Sequence, residues 1–371
     1  MSTTTLQPSV SRKTTLTSRE RVIRALERRD HDRVPRHESF WGDTIKRWEG
    51  EGLIGGERTV RQELEDDFHG VCWCWPSPYG KTETIREEET CKIVRDPFGA
   101  TLREWKNRTG TPEHLGFECD TSEKWHTKFK PMLLDFGVTA GEKEHARKQY
   151  RAGLEKKAFT FICGVEPFEM TRKLMGDEIS MMAFVEEPEW LADVSRVFTE
   201  VTLKSYDALL DTGIQPDCLW IYGDMAYKVS TMCSPAQYRE IIWPYHKMQA
   251  DWAKARGMKL IYHTDGNVND VIDLYIAAGF DALQPLEVKA GMDVRKLFPK
   301  YGDRLSFFGN IDVMIMIEEN LEKIEAEIVS KFAAGKAKNG YIYHSDHSVP
   351  PQVSLEFYRK IIGVVNQYGW Y

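Results

Sequence analysis

The sequence predicts an α/β chain of the (β/α)8 barrel type, and three observations carry that expectation. Short apolar runs recur at 219–222, 260–262, 282–286, 307–308 and 341–343, with helix-length segments between them. Runs of this size suit strands buried on both faces, as in a parallel sheet. Each run ends abruptly in polar or ionisable residues: Asp224, His263-Thr264-Asp265, Glu287, Asn310-Ile311-Asp312 and His344-Ser345-Asp346-His347. Glycines (Gly213, Gly257, Gly279) stop several intervening helices, which gives the strand, helix, Gly, strand grammar of a βα repeat.

Residues 1–16 are Ser/Thr-rich and are expected to form a disordered tail. Thr17 and Glu20 have capping-box spacing, and Val22, Ile23 and Leu26 supply the apolar stripe of a first helix. Asp32-Arg33-Val34-Pro35 ends it, and 36–41 reads as the first barrel strand. The stretch 59–135 is less regular. Within it, 91–94 and 101–105 flank Asp96-Pro97-Phe98-Gly99 and read as a β-hairpin. A hairpin is antiparallel, so this stretch is expected to be an insertion in a single barrel domain spanning 17–371. Its Trp73, Trp75, Trp105 and Trp125 are either the insertion's own core or an apolar lid over a large substrate. From residue 159 the alternation is regular. A strand at 159–163 precedes Glu166, and a long helix covers 189–210. Ser234-Pro235 opens a helix that Pro244 should kink and Gly257 closes. Strand 259–263, helix 268–277 and strands 280–286 and 305–309 follow. A helix at 318–333, strand 340–344 and a helix at 354–366 close the chain.

At 371 residues the chain has room for one large domain, and its 42% hydrophobic and 29% charged content is ordinary for a globular protein. The net charge of -7 argues against nucleic-acid binding through a broadly basic surface. No apolar stretch approaches the roughly 20 residues that span a bilayer. The seven scattered cysteines suggest no disulfide framework, so a reducing cytoplasm is expected. Cys72-Trp73-Cys74 is either a pair of half-buried thiols or a weak metal motif. There is no Gly-x-Gly-x-x-Gly and no phosphate loop after a strand, so no nucleotide cofactor is indicated.

In a barrel the residues at the strands' C-terminal ends share one cavity. His263 and Asp265 alternate along one strand and can point the same way. A His beside a carboxylate binds a metal or works as an acid/base pair. The bland alternative is that Asp265 caps the next helix and His263 fills a polar core site. Asp346 and His347 from the last strand would add to His263 and Asp265, giving a His/Asp set rich enough for zinc. Asp224 could act on substrate or could be a cap. Glu166, Tyr222, Gln284, Asn310, Trp41 and His344 are the candidate substrate contacts. Asp312 is as well explained as a helix cap. Of His37 and Glu38, only one can face the cavity.

Several of these segments together resemble the uroporphyrinogen decarboxylase superfamily. They are Ser18-Arg19-Glu20-Arg21-Val22 with Asp32-Arg33-Val34-Pro35; Phe168-Glu169 with Leu174-Met175-Gly176; Ser234-Pro235 with Trp243-Pro244-Tyr245; His263-Thr264-Asp265-Gly266; Gly291-Met292-Asp293; Gly309-Asn310-Ile311-Asp312; and Val349-Pro350-Pro351. The resemblance runs from about Thr17 to the C-terminus and implies a β/α barrel with its site at the C-terminal mouth. The decarboxylases proper hold substrate carboxylates with an early Arg-rich motif, which the stretch 34–41, with its one Arg, lacks. The cobamide-dependent methyltransferase branch uses a His-x-Cys zinc motif and a later Cys. Here His263 stands at the His position, Asp265 where the first Cys would be and Asp346 near the second. Carboxylates make a harder site than thiolates.

The function expected from this reading is methyl transfer between a small methylated or methoxylated compound and a cobamide. A corrinoid protein is a possible partner, zinc a possible metal and a homodimer a possible assembly. The alternative is a carbon–carbon lyase that decarboxylates a cyclic or aromatic acid, with His263 and Asp265 moving the proton.

Overall fold

The computed structural model describes residues 15–107 and 111–371. The expected disordered tail therefore lies, up to residue 14, outside the described residues. Thr15 and Leu16 are tied down, their N–H groups donating to Asp32 Oδ2 at 3.0 and 3.2 Å. The first helix, Ser18–Leu26, opens on Thr17 with the complete capping box.

The main sheet has seven strands in the order β1 (Phe68–Trp73), β6 (Phe159–Val165), β7 (Cys218–Tyr222), β8 (Lys259–Thr264), β9 (Ala282–Pro285), β10 (Ser306–Phe308) and β11 (Tyr341–Ile342). Every pairing in it is parallel. A separate four-stranded antiparallel sheet holds β2 (Glu83–Glu87), β3 (Cys91–Arg95), β4 (Ala100–Trp105) and β5 (Glu113–Phe117). The hairpin read from sequence is its central pair, with Cys91 opposite Trp105. β1 lies in the stretch that the sequence marks as irregular. The register shift between Gly70 and Cys72 explains why: a bulge breaks the two-residue period on which strand reading relies.

Residues 36–41 do not form the expected first strand. Single parallel bridges, Arg36 with Tyr343 and Phe40 with Val349, stand where a ladder was expected. Backbone bonds remain, the His37 N–H donating to the Tyr343 carbonyl at 3.1 Å and the Asp67 N–H to the Arg36 carbonyl at 2.9 Å, but at two positions side chains take the place of ladder carbonyls. The Arg36 N–H donates to Asp67 Oδ2 at 2.9 Å, and the Ser39 N–H to its neighbour's carboxyl, Glu38 Oε1, at 3.1 Å. Asp67 is fully buried and also takes Arg21 and Arg33 at 2.7 and 2.8 Å, so this end of the chain is fixed by an ion cluster.

Val22, Ala25 and Leu26 of the first helix pack with Phe68, Phe161, Trp220 and Phe308 in one buried cluster against the sheet. The larger core lies between the sheet and its helices, where Ile162, Leu219, Ile221, Leu260 and Leu283 meet Leu191, Tyr206, Ala250 and Ile361. The Ser234-Pro235 helix begins as expected but widens into a π-helical turn, Tyr238–Ile242, before Trp243–Ala255. Pro244 has no N–H to donate backward, and the wider turn absorbs that loss. Among the described residues no helix is long and apolar enough to cross a membrane. All seven cysteines are free.

Candidate functional site

β7 and β8 deliver the three residues that converge most closely. Tyr222 ends β7, and Asp224 follows two residues later; His263 lies in β8, and Asp265 just beyond it. One ligand atom each from Asp224, His263 and Asp265 lies within 4.8 Å of the others. Among the described residues no other group of three or more His, Cys, Asp or Glu converges in this way. All three are half-buried.

Each side chain is held in place. Gly223 allows the turn into Asp224, because a Cβ there would fall 1.8 Å from Glu166 Cγ. The Nδ1 of His263 is hydrogen-bonded to the Gln284 carbonyl oxygen Oε1. That oxygen only accepts, so Nδ1 carries the proton and Nε2 keeps its lone pair. Nε2 faces Asp224 Oδ1 at 3.8 Å, too far for a direct hydrogen bond. Two electron-pair donors thus face each other across a gap that a shared cation would fill. Asp224 Oδ1 also accepts the Asp265 N–H at 3.0 Å, and its Oδ2 accepts the Tyr222 hydroxyl at 3.2 Å.

Asp265 is less satisfied. Its Oδ1 is buried with no hydrogen-bond partner, and its Oδ2 lies 3.6 Å from His347 Nε2. Burial pushes its carboxyl above the usual range; His263 pulls the other way. His347 Nδ1 is likewise buried without a partner. An aromatic wall adjoins the group. The Tyr222 ring centroid is 5.0 Å from that of His263, and Trp75 stacks on Tyr222 at 6.2 Å and 19°. Trp75 also lines a cavity of about 560 Å³ together with Trp73, Phe136, Cys72, Cys74 and Cys163. Burial pushes the Cys72 and Cys74 thiols up to about 12, so they are neutral and offer no thiolate. Trp125, by contrast, is fully buried in a second core cluster, while Trp73 is 59% exposed.

The remaining sequence candidates divide sharply. Asp346 does not join the cluster. It is fully buried, and its two oxygens accept the N–H groups of Val288 and Val313, each at 3.0 Å. Glu166 has no exposed surface and caps the helix Pro167–Glu186, accepting the Phe168 and Glu169 N–H groups and pairing with His246 at 3.1 Å. Its carboxylate serves as the N-cap of that helix. Asn310 spends its amide on the carbonyls of Leu286 and Met292 and accepts the Val294 N–H, which pins the 286–294 loop. Asp312 caps Val313–Ile317. His344 is buried, with Nδ1 2.6 Å from the Ser345 carbonyl and Nε2 3.2 Å from Ser39 Oγ. Burial pushes its pKa down to about 3, so it is neutral at physiological pH. Trp41 is 55% exposed and precedes the helix Gly42–Gly50. Gln284, read as a substrate contact, is hydrogen-bonded to His263 and orients it.

Two further acids lie near the site: Glu169, which sequence reading did not single out, and Glu287, which it named as the polar end of an apolar run. Glu169 is buried, and burial outweighs Arg172 to raise its pKa to about 7. Arg172 joins it to the site, donating to Glu169 Oε2 at 2.9 Å and to the Asp224 carbonyl at 3.0 Å. Its signals in the sequence are its place in the first turn of the helix after β6 and the Phe168-Glu169 pair that carries part of the resemblance. Glu287 accepts the Gly266 N–H at 3.0 Å and so holds the turn that follows Asp265.

Residues 151–368 match the family described as Uroporphyrinogen decarboxylase (URO-D). Among solved structures, the fold is similar to that of a methyltransferase from Methanosarcina mazei, with a TM-score of 0.69 at 16% identity over 95% of this chain and 99% of that one. A B12-independent methionine synthase from Shewanella sp. W3-18-1, in complex with selenomethionine, gives a TM-score of 0.44 at 12% identity over 86% of this chain and 88% of that one. No curated protein matches the chain.

Proposed function

This chain belongs to the uroporphyrinogen decarboxylase family, and within it we propose a methyltransferase that moves a methyl group between a small methylated or methoxylated compound and a cobamide, the cobamide being a substrate of the reaction. On this reading residues 36–41 stand in for the eighth strand of a barrel whose mouth holds the site. One observation carries the proposal: the convergence of Asp224, His263 and Asp265 at the ends of β7 and β8, with an unpartnered buried oxygen on Asp265. A nitrogen and two carboxylates suit zinc or a similar divalent ion. A metal held there supplies Lewis-acid polarisation of the heteroatom that carries or receives the methyl group. The name of the Methanosarcina mazei structure is in keeping with the reading.

The chain's own residues do the rest. Gln284 fixes the His263 tautomer so that Nε2 faces inward. Tyr222 donates to Asp224 and fixes its carboxylate plane. Trp75 and Tyr222 form an apolar wall against which a methyl-bearing group can lie. His347 faces Asp265 Oδ2 at 3.6 Å and bounds that side of the group.

A second reading has one observation in its favour. His263 and His347 both approach carboxylates of the group, at 3.8 and 3.6 Å, spacings across which one water would relay a proton in a metal-free carboxy-lyase. The test is a methyl-transfer assay with free cobalamin over methoxyaromatics, thiols and tetrahydrofolate, run beside metal analysis. Turnover with stoichiometric zinc supports the methyltransferase. Carbon dioxide release from an acid by metal-free protein supports the lyase.

A further inference from the structure

The cavity of about 560 Å³ beside Trp75 shares no residue with the cluster of Asp224, His263 and Asp265. Its floor comes from the end of the main sheet, where Phe161 and Cys163 of β6 meet Cys72 and Cys74 at the end of β1. The helix Ala140–Glu155 forms the opposite wall. Trp73 and Trp75 stand at one side, their ring centroids 6.1 Å apart and tilted by 50°. Trp73 is exposed. A large ring left in solvent beside a hollow is apolar surface that a bound molecule would cover.

The lining selects by charge and shape. Burial holds all three thiols in their protonated form, so the floor is uncharged and polarisable. The polar side chains on the lining, Glu142, His145 and Gln149, stand three and four residues apart and share one face of the helix. Gln149 is engaged by hydrogen bonding with His69. Glu142 Oε2 accepts the Thr139 N–H at 2.7 Å and its hydroxyl at 2.6 Å, which leaves Oε1 as an acceptor. Among the described residues no Lys or Arg lines the cavity. A carboxylate on a ligand would find no cation there and would meet Glu142 instead. The volume lies in the range of pockets that enclose a small organic molecule.

We propose that this cavity is a binding site for a flat, uncharged aromatic molecule that lies against Trp73 and Trp75 and donates one hydrogen bond to Glu142. Trp75 belongs both to the cavity and to the wall at Tyr222 and His263, so an occupant rests on the ring that backs the site. The binding site stands on the lining alone. That its ligand is the methyl donor, and the donor therefore a neutral methoxylated aromatic compound, rests on the methyl-transfer reading. In that reaction the O–CH3 bond breaks, a Co(I) cobamide supplies the electron pair of the new Co–CH3 bond, and the oxygen leaves as a phenolate that takes up a proton.

The test is isothermal titration calorimetry on the full chain, stripped of metal with EDTA, at pH 7, with thermal unfolding as the check on folding. The probes are 6-methoxy-2-naphthol, which is neutral at this pH, and 6-methoxy-2-naphthoate, which is not. The naphthol should bind about tenfold or more tightly than the naphthoate, because only the second brings an unpaired charge to the cavity. Gly141→Phe blocks the site at little risk to folding: Gly141 is exposed on the lining, and a Cβ there meets only Thr139 Oγ1 at 4.0 Å. It should weaken naphthol binding about tenfold or more. Glu142→Gln keeps the capping box and should bring the two probes within about threefold of each other. His263→Ala should bind the naphthol as the wild type does, since His263 does not line the cavity. No binding of the naphthol, equal affinity for the naphthoate, wild-type affinity in folded Gly141→Phe, an unchanged preference in Glu142→Gln, or binding lost in His263→Ala would each overturn the site. Naphthol binding without methyl transfer to cob(I)alamin, in protein that demethylates another compound, leaves the cavity standing and removes its link to the donor. Binding in protein that transfers no methyl group from any compound sinks the methyl-transfer reading and spares the cavity.

Discussion

Asp265 and Asp346 both follow an apolar run, and both precede a turn into the next element, yet the fold uses them in opposite ways. Asp346 has no exposed surface, and both its oxygens are taken by backbone N–H groups from two different loops. Asp265 is half-buried, keeps one buried oxygen without a partner and turns the other toward His347. The first carboxylate is architecture; the second has bonding capacity left over. An ionisable residue at a strand end becomes a candidate for chemistry when the fold leaves its acceptors unspent near other donors of the same kind. His263 meets that condition through Nε2, which faces Asp224 Oδ1 at 3.8 Å without a hydrogen bond. The half-buried Asp224 takes one donor on each oxygen but stays within reach of the group, whereas Glu166 and Asn310 are spent on backbone groups.

The contrast can be broken by substitution, starting where the largest effect is expected. Asp346→Ala strands two buried N–H groups and should cost about 2–5 kcal/mol, measured by denaturant unfolding. A loss below about 1 kcal/mol would mean that water or neighbouring groups satisfy those loops.

The next effect depends on pH and comes from the segment 36–41. Glu38 is raised from 4.5 to about 8 in the folded chain. Between those values the folded state holds a proton that the unfolded state has released, so its contribution to stability declines as pH rises through that window. Glu38→Gln should remove that decline, so the wild type should lose stability relative to the variant from pH 4.5 to 8. His344 has the opposite sign. Lowered from 6.5 to about 3, it contributes stability above 6.5 that is lost as pH falls toward 3. A difference between wild type and Glu38→Gln that is flat with pH would show that the carboxyl is ionised throughout.

A smaller change is expected at the first helix. Thr17→Ala removes half of a capping box and should cost about 1 kcal/mol, read from the shift in the unfolding midpoint. Asp265→Asn should be smaller still. The carboxyl it removes has an unpartnered oxygen in a partly buried place, so stability should change by less than about 0.5 kcal/mol or rise slightly. A loss as large as that at Asp346 would erase the contrast between the two residues.

Much of the fold is legible from periodicity. The runs at 219–222 and 260–262 are strands because both their faces are buried, and a continuous apolar run records that condition directly. β1 is not legible, because its bulge at Gly70 breaks the alternation and Trp73 is exposed at its end. The segment 36–41 has the composition of a strand, but Asp67 and Glu38 intercept its hydrogen bonds, and no local pattern reports that. The convergence was legible as far as strand ends go: Asp224, His263 and Asp265 share one corner. What remained hidden is how acceptors are spent. The N–H groups that occupy Asp346 come from residues 288 and 313, and the amide that orients His263 comes from residue 284; distances of this kind along the chain leave no periodic trace.

The most direct measurement of the central claim is zinc stoichiometry by equilibrium dialysis on the wild-type chain and on Asp224→Ala, His263→Ala and Asp265→Ala. One ion per wild-type chain, lost in all three variants while each stays folded, is the expected result. Folded variants that retain the ion, or a wild-type chain that binds none, would contradict it.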